Sequence, residues 1–264
     1  MLARIKWIGV SACLLTILLA QCARRPLSYQ STNPENEYVG TQACQPCHQR
    51  VYNSYIQTGM GKSLYAPSPD QIIERFDSAT VVYDPRHDFY YEAYWEGENM
   101  FIREFRIKGL DTTHQRREKV DYVVGSGHQT RSYLMERNGY WFEMPVTWYV
   151  NRQIWDLSPG YDVQNSRFDR EIGAACLACH TGYIDYIEGS KNRYRFVSQG
   201  IDCEKCHGPG AIHIREMQSG TEVDVGEHID YSIVNPAKLP INAQFDVCQQ
   251  CHLQGINVPQ NGLS

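Results

Sequence analysis

Apolar and polar residues alternate with different periods along this chain. Residues 8–20, IGVSACLLTILLA, are apolar throughout and follow Arg4 and Lys6. The run is too short to span a bilayer comfortably and has the form of a signal-peptide core. Residues 24–38, RRPLSYQSTNPENEY, are polar and unpatterned and read as a tether. The stretch QRVYNSYIQTGMGKSLY places Val51, Tyr52, Tyr55 and Ile56 on one helical face, and the pattern stops at Gly59. From 78 to 150 the period changes to two: TVVYD, FYYEAYWEG and NMFIREFRI alternate, with EGEN as a turn. Asn138-Gly139, inside SYLMERNGYWFEMPVTWYV, is a strong hairpin signal. These residues predict an antiparallel β-insertion whose Tyr and Trp side chains form a core. SPGYD and FDREIGAAC then read as a loop leading into a helix.

The cysteines change the picture. Of ten, Cys13 lies in the apolar leader and Cys22 just after it. The other eight form four C-x-x-C pairs: Cys44/Cys47, Cys176/Cys179, Cys203/Cys206 and Cys248/Cys251. Each is followed at once by histidine: His48, His180, His207 and His252. C-x-x-C-H is the c-type haem attachment pattern. Two thiols one helical turn apart can add to the vinyl groups of one porphyrin, and the next residue then reaches iron from below the ring. Zinc binding, disulfides and a thioredoxin-like redox pair also use C-x-x-C, but none requires histidine at the next position. With 9 His in 264 residues, chance places His there about once in thirty, and four times in four about once in a million. The cofactors expected are four covalently bound haem c groups.

Four irons need ligands on their far faces. His213 lies six residues past His207, beyond the turn Gly208-Pro209-Gly210. That segment is short for wrapping round one porphyrin, so His213 is the first candidate distal ligand, to a different haem. Met60 in TGMGKS, between two glycines that would let the backbone approach a flat ring, and His128 in a glycine turn before a strand are the next candidates. His87, His114 and His228 have polar neighbours and read as exposed. Arg131 and Tyr133, beside His128, would line the pocket of an iron left open.

Composition narrows the class. The hydrophobic share of 42% allows a real core, and the net charge of −5 with no basic stripe gives no footprint for nucleic acid. Leu19-Ala20-Gln21-Cys22 is similar to a lipoprotein processing site, with Gln21 where a small residue is usual; ordinary cleavage near Ala20 or Ala23 is the alternative. The organisation expected is a signal peptide of the lipoprotein type at 1–22, a tether at 23–38 and a multihaem domain at 39–264. That domain holds the β-insertion at 78–150 and a three-haem segment at 171–258. Its fold class is α+β and haem-dominated, with short helices and loops around the porphyrins. The location expected is exported, in the periplasm or on the outer surface, anchored to membrane through Cys22.

YVGTQACQPCH, TGMGKSLY, YVVGSGHQTRSYL, MPVTWY, SPGYD, CHTGY, IDCEKCHGPGAIH, IVNPAKL and CQQCHLQG run in that order. Together, over residues 38–258, they resemble exported bacterial multihaem (tetrahaem) c-type cytochromes, often fused to tetratricopeptide repeats. The haem part is distantly similar to hydroxylamine oxidoreductase and to the tetrahaem cytochrome that accepts its electrons. Two departures stand out: many relatives have Asn-His after GSG, where His128 here follows Gly127 directly, and relatives usually continue well past the fourth motif. The resemblance implies export and a role in redox transfer; the function expected is electron transfer between redox protein partners, or from a quinol-linked membrane donor. The alternatives are a haem enzyme whose open iron acts on a small nitrogen or oxygen species, and a redox sensor or docking subunit.

Overall fold

The computed structural model describes residues 28–77 and 80–253. The expected signal peptide, Cys22 and the start of the tether lie outside those residues. Helix α1 (Thr41–Tyr55) carries the first cysteine motif. It begins earlier and ends earlier than its apolar face predicts. Pro46 has no N–H to give to the helix, and the backbone kinks two residues later at His48 (φ −113°, ψ 34°). The helix stops at Tyr55 because Thr58 takes over its exposed carbonyl: Thr58 Oγ1 donates to Tyr55 O at 2.7 Å.

Strands dominate the middle of the chain. After β1 (Leu64–Tyr65) come β2 (Val81–Asp84), β3 (Phe89–Glu96), β4 (Asn99–Lys108) and β5 (Asp111–Lys119), of which β2 to β5 pair in sequence as an antiparallel sheet. The EGEN turn joins β3 to β4, with Glu96 opposite Asn99. Next are β6 (Tyr122–Val124), β7 (Thr130–Arg137), β8 (Tyr140–Glu143), β9 (Val146–Tyr149), β10 (Ile154–Leu157) and β11 (Arg170–Glu171). These join β1 in a seven-stranded sheet of order β1-β6-β7-β8-β11, with β9 on β7 and β10 on β9. Asn138 and Gly139 both have positive φ (57° and 83°), as a tight hairpin whose twist matches its strands requires. Strand structure therefore extends past 78–150 on both sides, because β1 and β11 close the edges of the second sheet.

The two sheets share one core. The period of two turns Phe89, Tyr91 and Ala93 inward from β3 and Met100 and Ile102 inward from β4. They meet Tyr133, Met135, Met144, Val146, Trp148 and Trp155. A smaller core of Leu64, Leu134, Trp141, Ile172, Leu177 and Tyr194 continues from the second sheet to helix α2 (Ala174–Ala178). Leu177 lies inside the second cysteine motif, so the β-body itself fixes where that motif sits. The rest of the chain is a hairpin, β12 (Ile184–Tyr186) and β13 (Tyr194–Val197), then α3 (Glu204–His207), α4 (Ala211–Gln218) and α5 (Ile241–His252). Among the described residues no helix is long and apolar enough to cross a membrane.

One inward position of β4 is charged. Glu104 is fully buried and accepts from Tyr91 Oη at 3.1 Å, from Arg167 Nε at 2.8 Å and from His114 Nε2 at 2.9 Å. Asn165 bridges Tyr91 Oη and Asp84. The network ties the first sheet to the loop that feeds α2. Burial alone would raise the Glu104 pKa, but the Arg167 and His114 hydrogen bonds hold it below the usual range. The stabilisation from Glu104 is therefore complete above the unfolded carboxyl value, about 4.3, and is lost as pH falls through the lower folded value. Replacing Glu104 with Gln should cost roughly 2–3 kcal/mol at neutral pH. It should also flatten the acid limb of the stability–pH curve, measured by urea denaturation between pH 3 and 7.

Candidate haem centre

The four motifs sit at the ends or edges of short helices. The first lies in α1 around the kink and the second in α2, with Cys179 as its C-cap residue. Cys203 leads into α3, and the fourth fills the last turn of α5. All eight cysteines are unbridged. Their thiols form a string. Cys44 donates its S–H to Cys203, which holds the Cys203 thiol down to about 7 and drives Cys44 up. Cys206 lies in the field of Cys248, and Cys251 is hydrogen-bonded to Cys179. In space, then, the order of motifs is first, third, fourth, second. The first motif, isolated in sequence, is the direct neighbour of the third: Cys203 N donates to Thr41 Oγ1 at 3.3 Å. Gln250 Nε2 of α5 reaches Lys205 O of α3 at 3.1 Å.

The rings of His48 and His213 lie close together. Their ring centres are 6.4 Å apart and their planes differ by 18°. A metal between two imidazole nitrogens at about 2.0–2.1 Å, with each ring centre about 1.1 Å behind its nitrogen, sets the centres about 6.3 Å apart. Hydrogen bonds also leave the correct nitrogens free. His207 Nδ1 lies 2.7 Å from Val234 O, which can only accept, so Nδ1 carries the proton and Nε2 keeps its lone pair. His213 Nδ1 lies 3.0 Å from Asp230 Oδ2 and 3.0 Å from Ser232 Oγ, with the same result. His180 is half-buried; its Nδ1 has no partner among the described residues, and desolvation holds the ring below the usual imidazole range, opposed by a hydrogen bond to the Ser63 backbone.

The spacing of His48 and His213 is set by a residue inside the third motif. Glu204 is 2% exposed. Its carboxylate accepts from Val39 N at 2.9 Å, Gly40 N at 2.7 Å and Gly210 N at 2.8 Å. Val39 and Gly40 precede α1, and Gly210 precedes α4. One anion therefore clamps the positive ends of the helices that carry His48 and His213. A second tie, Ile212 N to Asn36 Oδ1 at 3.0 Å, holds α4 from the other side. A cavity of about 850 Å³ opens beside the clamp. Tyr38 and Tyr183 stack at 4.8 Å on its wall, and burial followed by Glu204 pushes the Asp202 carboxyl up.

The other candidates fare differently. Met60 stands on the turn after α1 with its side chain 49% exposed, and its carbonyl accepts from Ile201 N at 3.0 Å. The neighbouring Gly61 serves chain packing: a Cβ there would lie 2.6 Å from Tyr55 O. His128 is exposed, with its ring edge near Gly59. Arg131 and Tyr133 belong to the sheet interior. Both are buried in the β-body, where Glu74 receives Arg131 Nη1 at 3.0 Å and Tyr133 Oη at 2.8 Å. His87 and His114 are partly exposed and pair with Asp84 and Glu104; His228 is exposed. Sequence reading missed Glu204, Asp230, Ser232 and Val234. For Glu204 alone a signal existed: an acidic residue within C-E-K-C-H, immediately before the chain turns.

These residues fit a porphyrin. Among the described residues no three His, Cys, Asp or Glu converge on a point where a bare ion could sit. A porphyrin supplies four nitrogens of its own and asks the protein for two axial atoms and two thiols, which is the set each motif and the His48/His213 pair present. Moreover, α1 and α5 bury none of their own side chains. Ile241 and Phe245 are 61% and 58% exposed, so among the described residues these helices present apolar surface that a porphyrin would cover.

A fold of two sheets carrying such attachment motifs supports a c-type cytochrome. Residues 159–208, which contain the second and third motifs, match the family described as Cytochrome c554 and c-prime. Among solved structures the chain is similar to the outer cell wall cytochrome OcwA, with 19% identity and a TM-score of 0.48, over 81% of this chain and 37% of that one. The chain thus spans well under half the length of that protein. Among curated proteins none matches it.

Replacing Glu204 with Ala leaves three main-chain N–H groups, that of Gly210 buried, without their acceptor and releases both helix starts. A loss of roughly 3 kcal/mol is expected in guanidinium denaturation of the mature protein, with the His48/His213 helices detaching first by hydrogen exchange.

Proposed function

We propose that this chain is an exported tetrahaem c-type cytochrome that carries electrons between redox partners. The observation that carries the reading is the His48/His213 pair at 6.4 Å. Two imidazoles on one iron leave no position for a substrate and suit a centre that exchanges electrons without breaking bonds. Each motif cysteine would hold its haem by adding its S–H across a vinyl C=C, an addition that needs no oxidant. His48, His180, His207 and His252 would each hold one haem iron, and His213 would be the second holder at the first site; Met60 and His128 stay as candidates for the others. Haem c supplies reversible one-electron exchange at iron. The chain's part is to hold the rings, fix the imidazole tautomers and exclude water.

The string of thiols supports a path in the order first, third, fourth, second motif. In this reading the signal peptide at 1–22 exports the chain to the periplasm or outer surface. A lipid on Cys22 then holds it at the membrane, within reach of a quinol-linked donor or of redox proteins.

Intact mass and the pyridine haemochrome of protein matured in a competent host should give four haems per chain. Replacing His213 with Ala should add one carbon-monoxide-reactive haem relative to the unsubstituted protein. Unchanged carbon monoxide binding would remove His213 from the first iron.

A further inference from the structure

Three histidines of the haem region have different partners on Nδ1. His213 meets a carboxylate, His207 a neutral carbonyl, and His180 nothing among the described residues. The first two partners come from one segment, 230–234. Its shape is fixed from within: Ser232 donates to Asp230 Oδ1 through both N (2.8 Å) and Oγ (2.5 Å), which leaves Oδ2 for His213. It is also fixed from outside, since Gln30 N donates to Tyr231 O at 2.8 Å and Val234 N donates to His207 O at 3.0 Å. The Asp230 and His213 side chains are 11% and 17% exposed, so water screens their interaction little.

We propose that Asp230 is a positioning residue that sets the redox potential of the iron held by His213. The inference rests on the haem reading of this chain. A carboxylate that accepts the Nδ1 proton pushes electron density into the imidazole and makes its other nitrogen a stronger donor. A stronger axial donor favours the oxidised metal and lowers the potential. The carbonyl on His207 does this less. The segment 230–234 therefore separates two neighbouring centres, with the first-motif site lower than the third-motif site. Because Cys203 N is hydrogen-bonded to Thr41 at the start of the helix that bears the first motif, an electron that arrives at the first motif runs downhill to the third.

The test is a spectroelectrochemical titration of the mature protein. Asp230→Asn keeps the shape and an acceptor oxygen but removes the charge. The expected result is four haems, one midpoint potential shifted upward, three in place, and altered g-values for one low-spin haem in electron paramagnetic resonance. Ser232→Ala is the second variant. It removes a hydroxyl that competes for the Nδ1 proton and draws charge from Asp230, so the same midpoint should move downward. Four unmoved midpoints in four-haem Asp230→Asn overturn the proposal. If that variant matures incompletely, a midpoint in Ser232→Ala that stays or rises overturns it. A haem-free unsubstituted protein would instead defeat the haem reading itself, which the pyridine haemochrome detects before any titration.

Discussion

The carboxylate of Glu204 sits among three main-chain N–H groups that have no other use for their protons. Charge-assisted hydrogen bonds of this kind are short and about twice as strong as neutral ones. Their value here is geometric. They join the start of the helix that bears His48 to the start of the helix that bears His213, across more than 160 residues of chain. Because the anion lies between Cys203 and Cys206, it also anchors both helices to the third motif. Two histidines remote in sequence come to face one another because a third motif, belonging to a different site, holds the ends of both their helices.

The molecule divides its labour between two kinds of packing. The β-body closes its own core, with Tyr91, Tyr133, Trp148 and Phe168 almost wholly buried. The helical part does not. There the contacts between segments are hydrogen bonds at turns, and apolar side chains such as Ile241 and Phe245 face outward. The two parts meet at Leu177 and at the Glu104 network, so the rigid half sets the place of the second motif while the others are positioned by polar ties. A region built that way can hold flat groups at close quarters, since little protein stands between the thiols of successive motifs.

Local chemistry was legible in the sequence where a short period or a short motif carried it. The alternation in FYYEAYWEG, the Asn138-Gly139 turn and the four C-x-x-C-H motifs each need only a few adjacent residues to be recognised. His213 stood out as a candidate because a short arm after Gly208-Pro209-Gly210 restricts what it can reach. Three things were hidden for one reason. The partner of His213, the neighbours of Cys44 and the true surroundings of Arg131 are decided by residues 17 to 160 positions away, and no periodicity encodes such a meeting. Arg131 shows the risk: beside His128 in sequence it suggested a pocket for substrate, yet Glu74 draws it into the sheet core. The kink at His48 was written in Pro46, but the apolar face drew attention to the following turns instead.

The bare helices α1 and α5 also bear on how such a protein is assembled. One cysteine in each of the first, second and fourth motifs is solvent-exposed (Cys47, Cys176 and Cys248). Under the haem reading those thiols would stay open to attachment with both sheets in place. On the reading proposed above, the β-body would serve as a jig for the helical segments, each fastened to it through its own attachment rather than through a core of its own.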